Sequence, residues 1–424
     1  MSREDPGTSG GGSSGEGTER RQLLCDLTQS WSAVGGGVGT YLRHKRQHIL
    51  DHTPHRHLLI VPGDTDEVVE DGRTITATIA SPKVPGSPNY RLLLRSWQAR
   101  RLLERFQPDL IECQDAYNLP WAAIAHAERH PGTALVAAYM TDFPTVYVER
   151  PFARVIGETL AGAASRLGYW YCGKLYRRFD LLYALSENGG AAKMRDLGLD
   201  PVEVVPLGVE LGEFSPHHRD PALRRKLGVG NNAPLLIYAG RLDSEKRAQA
   251  VVDAFGLLPD SLGAHLVLLG DGPLREQFVS TGAARLHAPG YVRSRSELAR
   301  WLASADLYVS GMADETFGIS IIEAQASGLP VVGVASGAMV DRVDHSIGRL
   351  GPIDDSAAMA ANILELWAGD LPAMRQRTLD HARQFGWDKS MDILFGAIYP
   401  VAMRRAARRA ADRSSPLAPA FAKA

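Results

Sequence analysis

The feature that most constrains this chain is a pattern of short β-branched or leucine-rich runs, each followed by a stretch of helical spacing, that fills the first half and then begins again. The first set is Leu23 to Leu27, His57 to Val61, Thr74 to Ala80, Asp109 to Cys113, Ala134 to Tyr139, Leu181 to Leu185 and Val202 to Val205. Strands that alternate with helices, with no tight Asn-Gly or Asp-Gly hairpin between them, predict a parallel sheet covered on both faces. Leu235 to Ala239, His265 to Leu269, Leu307 to Ser310 and Pro330 to Val334 repeat the pattern, with helical stretches such as Arg247 to Leu257 and Ser296 to Ala303 between them. The expected fold is therefore α/β, two doubly wound domains facing each other across a cleft. Pro206 to Asp220, "PLGVELGEFSPHHRD", is rich in Gly and Pro and reads as the hinge. Each open sheet offers a crevice at the carboxyl ends of its strands, and two of them face to face make one deep site.

A chain of 424 residues exceeds a single ordinary core, which agrees with that division. The expected boundaries are a disordered tail over 1–20, a first domain over 21–208, a second over 209–385, a C-terminal helical segment over 386–412 and a tail over 413–424. Lys and Arg number 47 against 48 Asp and Glu, so no global basic field argues for nucleic acid. Cys25, Cys113 and Cys172 lack disulfide or metal spacing and suit a reducing compartment, read here as the cytoplasm. The Gly/Ser/Glu-rich start has no apolar stretch of the kind a signal peptide needs. The longest apolar runs fall far short of the roughly 18 residues of a spanning helix, so any membrane contact is expected to be peripheral.

After the first run comes "SWSAVGGGVGTYLRH", where Gly35, Gly36, Gly37 and Gly39 permit close backbone approach ahead of a helix N-terminus. A phosphate or a sugar hydroxyl fits there, and so does a plain tight turn. The spacing matches neither the dinucleotide fingerprint nor the P-loop. In the second half "LIYAGRLDSEKR" places Arg241 and Lys246 at a strand's carboxyl end, where a guanidinium and an ammonium suit a diphosphate. Asp243 and Glu245 could instead neutralise both cations in a solvated turn.

The segment "ADETFGISIIEAQASGLPVVG" sets Glu315 in a loop after the run Leu307 to Ser310, with a helix expected from near Phe317 or Gly318. Eight helical steps would separate Glu315 from Glu323 by about 12 Å along the axis, too far to share a proton. They could serve two ends of one elongated ligand, with the helix's first amides facing its phosphates between them. An acid favouring the helix dipole explains Glu315 alone. It explains Glu323 poorly, because Ile321, Ile322, Ala324 and Ala326 surround it and a buried carboxylate needs partners.

This segment, with "GGGVG", "GVELGEFSP", "AGRLDSEK" and "LLGDGPL" in order, resembles the family 4, group 1 type of retaining glycosyltransferases, whose GT-B fold has two facing Rossmann-like domains and whose signature is Glu-x7-Glu. The resemblance spans residues 22 to 390. It implies that Glu315 contacts donor sugar hydroxyls, that Glu323 meets the ribose, and that Phe317, Gly318 and Ile319 amides with Arg241 and Lys246 hold the diphosphate. Gly36 and Gly37 would complete the donor side. It implies no metal and no cofactor, the two cations offsetting charge on the leaving nucleoside diphosphate.

Two departures stand out. Met140, in "AAYMTDFP", replaces the family's usual histidine, leaving Asp142 and Thr141 as the nearest polar groups, with Gln114 and Asp115 expected at the same cleft. Asp142 is a candidate for the catalytic set, or a turn carboxylate before Phe143-Pro144. In "ASGAMVDRV" Gly337-Ala338 and Asp341 stand where relatives show Gly-Gly and then Glu, which implies at most a shifted donor pocket.

Residues 149–180 interleave Arg150, Arg154, Arg166, Lys174, Arg177 and Arg178 with Tyr169, Trp170, Tyr171 and Tyr176. Such a stretch suits peripheral contact with an anionic membrane at the inner face of the cell membrane, or is an ordinary amphipathic helix. The basic stretch "MRRAARRAADRS" admits the same two readings. The expected activity is transfer of a hexose, mannose or glucose in type, from a nucleotide-sugar donor such as GDP-mannose or UDP-glucose to a hydroxyl of a lipid or cell-envelope glycan. Rivals are a nucleotide-sugar epimerase or hydrolase on the same scaffold and a binding protein without turnover. A pyridoxal-phosphate phosphorylase is disfavoured, since no lysine is singled out for a Schiff base.

Overall fold

A computed structural model describes residues 20–32, 36–84, 87–149 and 157–414. Gly35, residues 150–156 of the basic aromatic stretch and most of both expected tails lie outside the described residues.

The first domain is built on an eight-stranded sheet. Its spatial order is Val202–Val204, Leu181–Ala184, Ala134–Tyr139, Leu110–Cys113, Leu23–Leu27, Arg56–Gly63, Thr74–Ala80 and Glu67–Asp71. Every pairing is parallel except the last. The expectation of no Asp-Gly hairpin is therefore corrected. Asp71-Gly72 turns Glu67–Asp71 back antiparallel onto Thr74–Ala80, with Gly72 at φ 55°. The run "EVVED" conceals this strand because its charges are those of an exposed edge, where they discourage pairing with another chain. Leu23–Leu27, Leu110–Cys113 and Ala134–Tyr139 are buried at every position, as expected of parallel strands covered on both faces.

The second domain has a six-stranded parallel sheet in the order Leu286–Gly290, His265–Leu269, Leu235–Ala239, Leu307–Val309, Val331–Val334 and Gly348–Gly351. The two outer strands are absent from the expected set, since "LHAPG" and "GRLG" are short and carry little hydrophobic signal. "LLGDGPL" serves packing. Gly270 and Gly272 take φ of 146° and 156°, and a Cβ on them would lie 1.8 Å from the Gly240 carbonyl oxygen and 2.4 Å from that of Leu242. These glycines let one loop run along the next, which carries Arg241.

Two strands of chain cross between the domains, side by side. Val209 N donates to the Phe385 carbonyl at 2.8 Å, and a Cβ on Gly208 would meet Trp387 Cα at 2.4 Å. After the second crossing the chain returns to the first domain as Trp387–Ile393, a wide turn over Leu394–Ile398, and the helix Tyr399–Ser414. Tyr399 Oη donates to Glu112 Oε2 at 2.7 Å inside the first sheet's core. Glu112 also accepts from Tyr41 and Tyr183 and pairs with Lys45, whose Nζ reaches Asp26 at 2.7 Å. These charges are buried but fully partnered, the condition under which burial is tolerated. The basic C-terminal face is not simply solvated. Arg409 donates to the Thr133 carbonyl at 2.6 Å and pairs with Asp180, and Arg413 reaches the Glu128 carbonyl at 2.7 Å.

Candidate functional site

Both sheets change direction where their first strands lie. Strand order departs both ways from Leu23–Leu27 in one domain and from Leu235–Ala239 in the other. Loops leaving the carboxyl ends at such points open a crevice, and here the two crevices face each other. A cavity of about 600 Å³ lies between them. Its first-domain wall includes Gly36, Gly37, Tyr90, Met140 and Thr141, and its second-domain wall Gly240, Lys246, Glu315 to Ser320 and Glu323.

The glycine stretch precedes a helix, Gly37–His52, whose cap residue Gly36 takes φ 101°. A Cβ on Gly36 would meet Tyr90 Oη at 3.0 Å, and one on Gly37 would stand 3.6 Å from Ile319 Cδ1 across the cleft. The Ile319 side chain of the second domain therefore packs against the first domain's glycine backbone at this point.

On the opposite wall the helix is Ile319–Ala326, so Glu315 lies in the preceding loop and the separation expected for eight helical steps does not apply. Gly318 caps it at φ 88°, a left-handed conformation that L side chains rarely take, and a Cβ there would fall 2.6 Å from Ile321 Cδ1. The helix thus starts at the cavity wall, where Phe317 to Ser320 are among the lining residues and its first amides have no intrahelical acceptor. Lys246 Nζ comes within 3.5 Å of Glu315 Oε2. Tyr308, on the neighbouring strand, donates to Ser320 Oγ at 2.9 Å.

Glu323 is 5% exposed and finds its partner in Arg295, whose Nη2 donates to Oε1 at 3.2 Å. Burial pushes its carboxyl up to about 7 despite that guanidinium. It borders both the main cavity and a second one of about 450 Å³ beside the hinge, which Gly36, Gly37 and Ile319 also line. Sequence reasoning missed Arg295, for which the basic pair Arg293 and Arg295 in "YVRSRSEL" is the only local sign.

The loop bearing Glu315 is fixed from both domains. Thr316 Oγ1 donates to the Met140 carbonyl at 3.0 Å, and Ser186 Oγ to the Thr316 carbonyl at 2.8 Å. Arg342, another residue the sequence did not reveal, lies between the Phe317 and Phe385 rings and donates to the carbonyls of Phe317 and Leu185 at 3.2 and 3.0 Å. The "ASGAMVDRV" departure also has a local role. Gly337 takes φ 55°, Ala338 N donates to the Glu315 carbonyl at 2.8 Å, and Asp341 accepts from Asn188 of the first domain.

Three sets of candidate residues have partners of their own. Arg241, paired with Asp243 at 2.6 Å and Glu245 at 2.5 Å, lines not the main cavity but an adjoining one of about 710 Å³ that Lys246 and Glu315 also border. This is the local neutralisation its acidic neighbours allow. Asp142 is 1% exposed and accepts from Tyr139 at 2.8 Å, from Tyr169 at 2.9 Å and from Lys193 at 2.7 Å. Burial alone would raise its carboxyl, but Lys193 and the two hydroxyls hold it below the ordinary range. So engaged, it has the partners of a structural anchor, and it also lines the adjoining cavity with Arg241, Lys246 and Glu315. Gln114 and Asp115 do not face the cleft. Gln114 joins the Asp26–Glu112 network, and Asp115 accepts from Thr28 Oγ1 and the amides of Gln29 and Ser30, shaping the loop that reaches the cavity.

Similarity to known proteins converges on the same picture. Residues 35–213 match the family described as Glycosyltransferase Family 4, and residues 233–369 that described as Glycosyl transferases group 1. A GDP-mannose-dependent alpha-(1-6)-phosphatidylinositol dimannoside mannosyltransferase of Mycobacterium tuberculosis is 28% identical over 337 residues, 78% of this chain and 82% of that protein. A GDP-mannose-dependent alpha-mannosyltransferase of the same species is 30% identical over 339 residues, 76% of this chain and 81% of that one. A sucrose-phosphate synthase from Thermosynechococcus elongatus superposes with a TM-score of 0.69 at 18% identity, covering 90% of this chain and 98% of the other, which establishes the shared GT-B fold. The chain is a member of the family 4, group 1 glycosyltransferases.

Proposed function

We propose that this glycosyltransferase moves a hexose, mannose or glucose in type, from a nucleotide sugar to a hydroxyl of a membrane lipid or cell-envelope glycan, retaining the anomeric configuration and using no metal ion. The observation that carries the reading is the meeting of Lys246, Glu315 and the Gly318-capped helix start on one wall of the interdomain cavity. An ammonium and convergent amides suit a diphosphate, and the Glu315 carboxylate suits sugar hydroxyls. Glu323 would accept from the ribose.

As the glycosidic bond to the diphosphate breaks, Lys246 offsets charge on the leaving oxygens. The acceptor hydroxyl attacks on the same face and passes its proton to that leaving phosphate, so no side-chain base is needed. Arg241, paired with Asp243 and Glu245, would join from the adjoining cavity. Met140 supplies an apolar contact where the family resemblance leads one to expect histidine, and it favours one second reading, donor binding without turnover.

Both mannosyltransferase relatives are named for GDP-mannose, which makes it the first donor to try, with UDP-glucose second. One is named for a phosphatidylinositol mannoside, which favours a lipid acceptor. No described helix is long and apolar enough to cross a membrane, so access to that lipid would come by peripheral contact of the 149–180 region with an anionic surface at the cytoplasmic face.

The test is nucleoside diphosphate release from each donor, with and without a total lipid extract, with EDTA present and absent, and with Glu315→Ala as control. Lipid-dependent, EDTA-resistant release that Glu315→Ala abolishes is expected, with the product anomer assigned by NMR. Donor binding without lipid-dependent release would leave a soluble glycan acceptor or a binder; EDTA sensitivity or an inverted anomer would overturn the stated mechanism.

A further inference from the structure

The first domain carries a groove of about 900 Å³ outside the donor cavity, walled chiefly by Tyr117, Trp121, Phe143, Leu167, Trp170 and Tyr171. The polar tips of Trp121 and Tyr171 are engaged within the walls. Trp121 Nε1 donates to Tyr171 Oη at 3.0 Å, and Tyr171 Oη donates to the Tyr117 carbonyl at 2.9 Å. These two residues thus present little but ring faces to the groove. Leu167, Trp170 and Trp121 are 65, 58 and 41% exposed, and large apolar side chains left together in water mark a binding surface. Gly168 builds the wall, since a Cβ there would lie 3.1 Å from Pro144 Cβ and 3.5 Å from Val148 Cγ2.

Position gives the groove its meaning. Tyr117 also lines the cavity of about 710 Å³ that Thr141, Lys246 and Glu315 border, and those three border the donor cavity in turn. A series of adjoining hollows, each sharing lining residues with the next, therefore leads from the donor wall to the aromatic groove. Exposed Arg166 and Lys174 stand on the same helix, Glu158–Tyr176, with Lys174 Nζ 5.9 Å from the Trp170 ring centre. Cations beside an apolar slot match an amphiphile with an anionic head.

The geometry points to an acyl-chain site: the groove takes one hydrocarbon tail of the lipid acceptor, while the hydroxyl-bearing head occupies the middle cavity against Lys246 and Glu315. This rests on the lipid-acceptor reading above. Each methylene buried in such a slot tightens binding about fourfold.

The probe is dansyl-undecanoic acid, whose emission rises and shifts to the blue in apolar surroundings. Saturable binding at one probe per chain is expected. It should weaken by at least about fifteenfold in Ala164→Trp, whose indole displaces two or more methylenes of the bound chain. Leu167→Gln, at an exposed position that cannot unfold the domain, should weaken it in the same direction. Nucleotide binding should be unchanged in both variants, and lipid-extract-dependent turnover should fall in both. No probe binding, or binding that both variants leave intact, overturns the groove while lipid-dependent turnover keeps the acceptor reading standing. Groove-specific binding by a protein with no lipid-dependent turnover overturns both. A dimer that Leu167→Gln converts to monomer by sedimentation assigns the surface to a second copy and overturns the acyl-chain site.

Discussion

Lys246 Nζ stands 3.5 Å from Glu315 Oε2, a contact between loops that leave two neighbouring strands of the second sheet. Both side chains are partly exposed, at 27 and 19%, so the pair adds little to stability, at most about 1 kcal/mol. Its value in the proposed reaction is positional: the carboxylate holds the ammonium at the cavity wall, where a diphosphate would take its place.

Lys246→Ala should therefore separate activity from folding. Loss of a preorganised cation facing a leaving group is expected to lower kcat/KM by about 10²- to 10³-fold. The melting temperature should move by no more than a degree or two, given the small worth of the pair. Nucleoside diphosphate release and a thermal melt on the same preparation check this, and a large drop in melting temperature would refute the positional role.

Gly318 ties the donor side to backbone geometry. At φ 88°, with Ile321 Cδ1 2.6 Å from the Cβ it would carry, Gly318→Ala must shift either the cap or the isoleucine. The expected cost is about 1–3 kcal/mol, with weaker nucleoside diphosphate binding by calorimetry. Gly282→Ala, also at positive φ but with nothing near its Cβ, should carry the conformational strain alone and leave nucleotide affinity unchanged.

Glu315, Lys246 and the Phe317–Ile319 turn are legible in the sequence because a doubly wound sheet sends the loops at its strands' carboxyl ends into the cleft. Local pattern suffices for that. What stays hidden depends on partners far along the chain. Nothing near Asp142 announces that Tyr169 and Lys193, 27 and 51 residues on, will close around it. Nothing near Glu323 names Arg295, 28 residues earlier, and Arg342 shows its role only once Leu185 and Phe317 are brought together. The Asp71-Gly72 hairpin is a different failure: the turn signal is present, but its exposed acidic strand lacks the hydrophobic pattern that strand recognition uses.

Asp142→Asn tests the anchor role against a catalytic one. The amide keeps the shape but loses the charge facing Lys193, whose side chain is 35% exposed and so partly rescued by water. A loss of about 2 kcal/mol is expected, below the range for breaking a fully buried pair. At a temperature where the variant is folded, kcat should stay within about threefold of the parent, less than the effect of removing a general base. A hundredfold loss of kcat without destabilisation would place Asp142 in the catalytic set.

Glu323 makes stability depend on pH in a stated direction. Its carboxyl is raised by burial from 4.5 to about 7, so between those values the folded chain holds a proton that the unfolded chain has released. Stability from this group is full below pH 4.5, declines as pH rises through the window, and is lost above 7. The shift corresponds to about 3 kcal/mol at neutral pH. Glu323→Gln, neutral throughout, should be more stable than the parent at pH 8 and nearly equal to it at pH 4.5, by urea titration at each pH. If the ribose is held by the carboxylate, the same variant should bind nucleoside diphosphate more weakly at pH 8 despite its greater stability. Equal pH dependence of the two proteins would show that Glu323 is already ionised in the free cleft, with Arg295 alone sufficient to offset its burial.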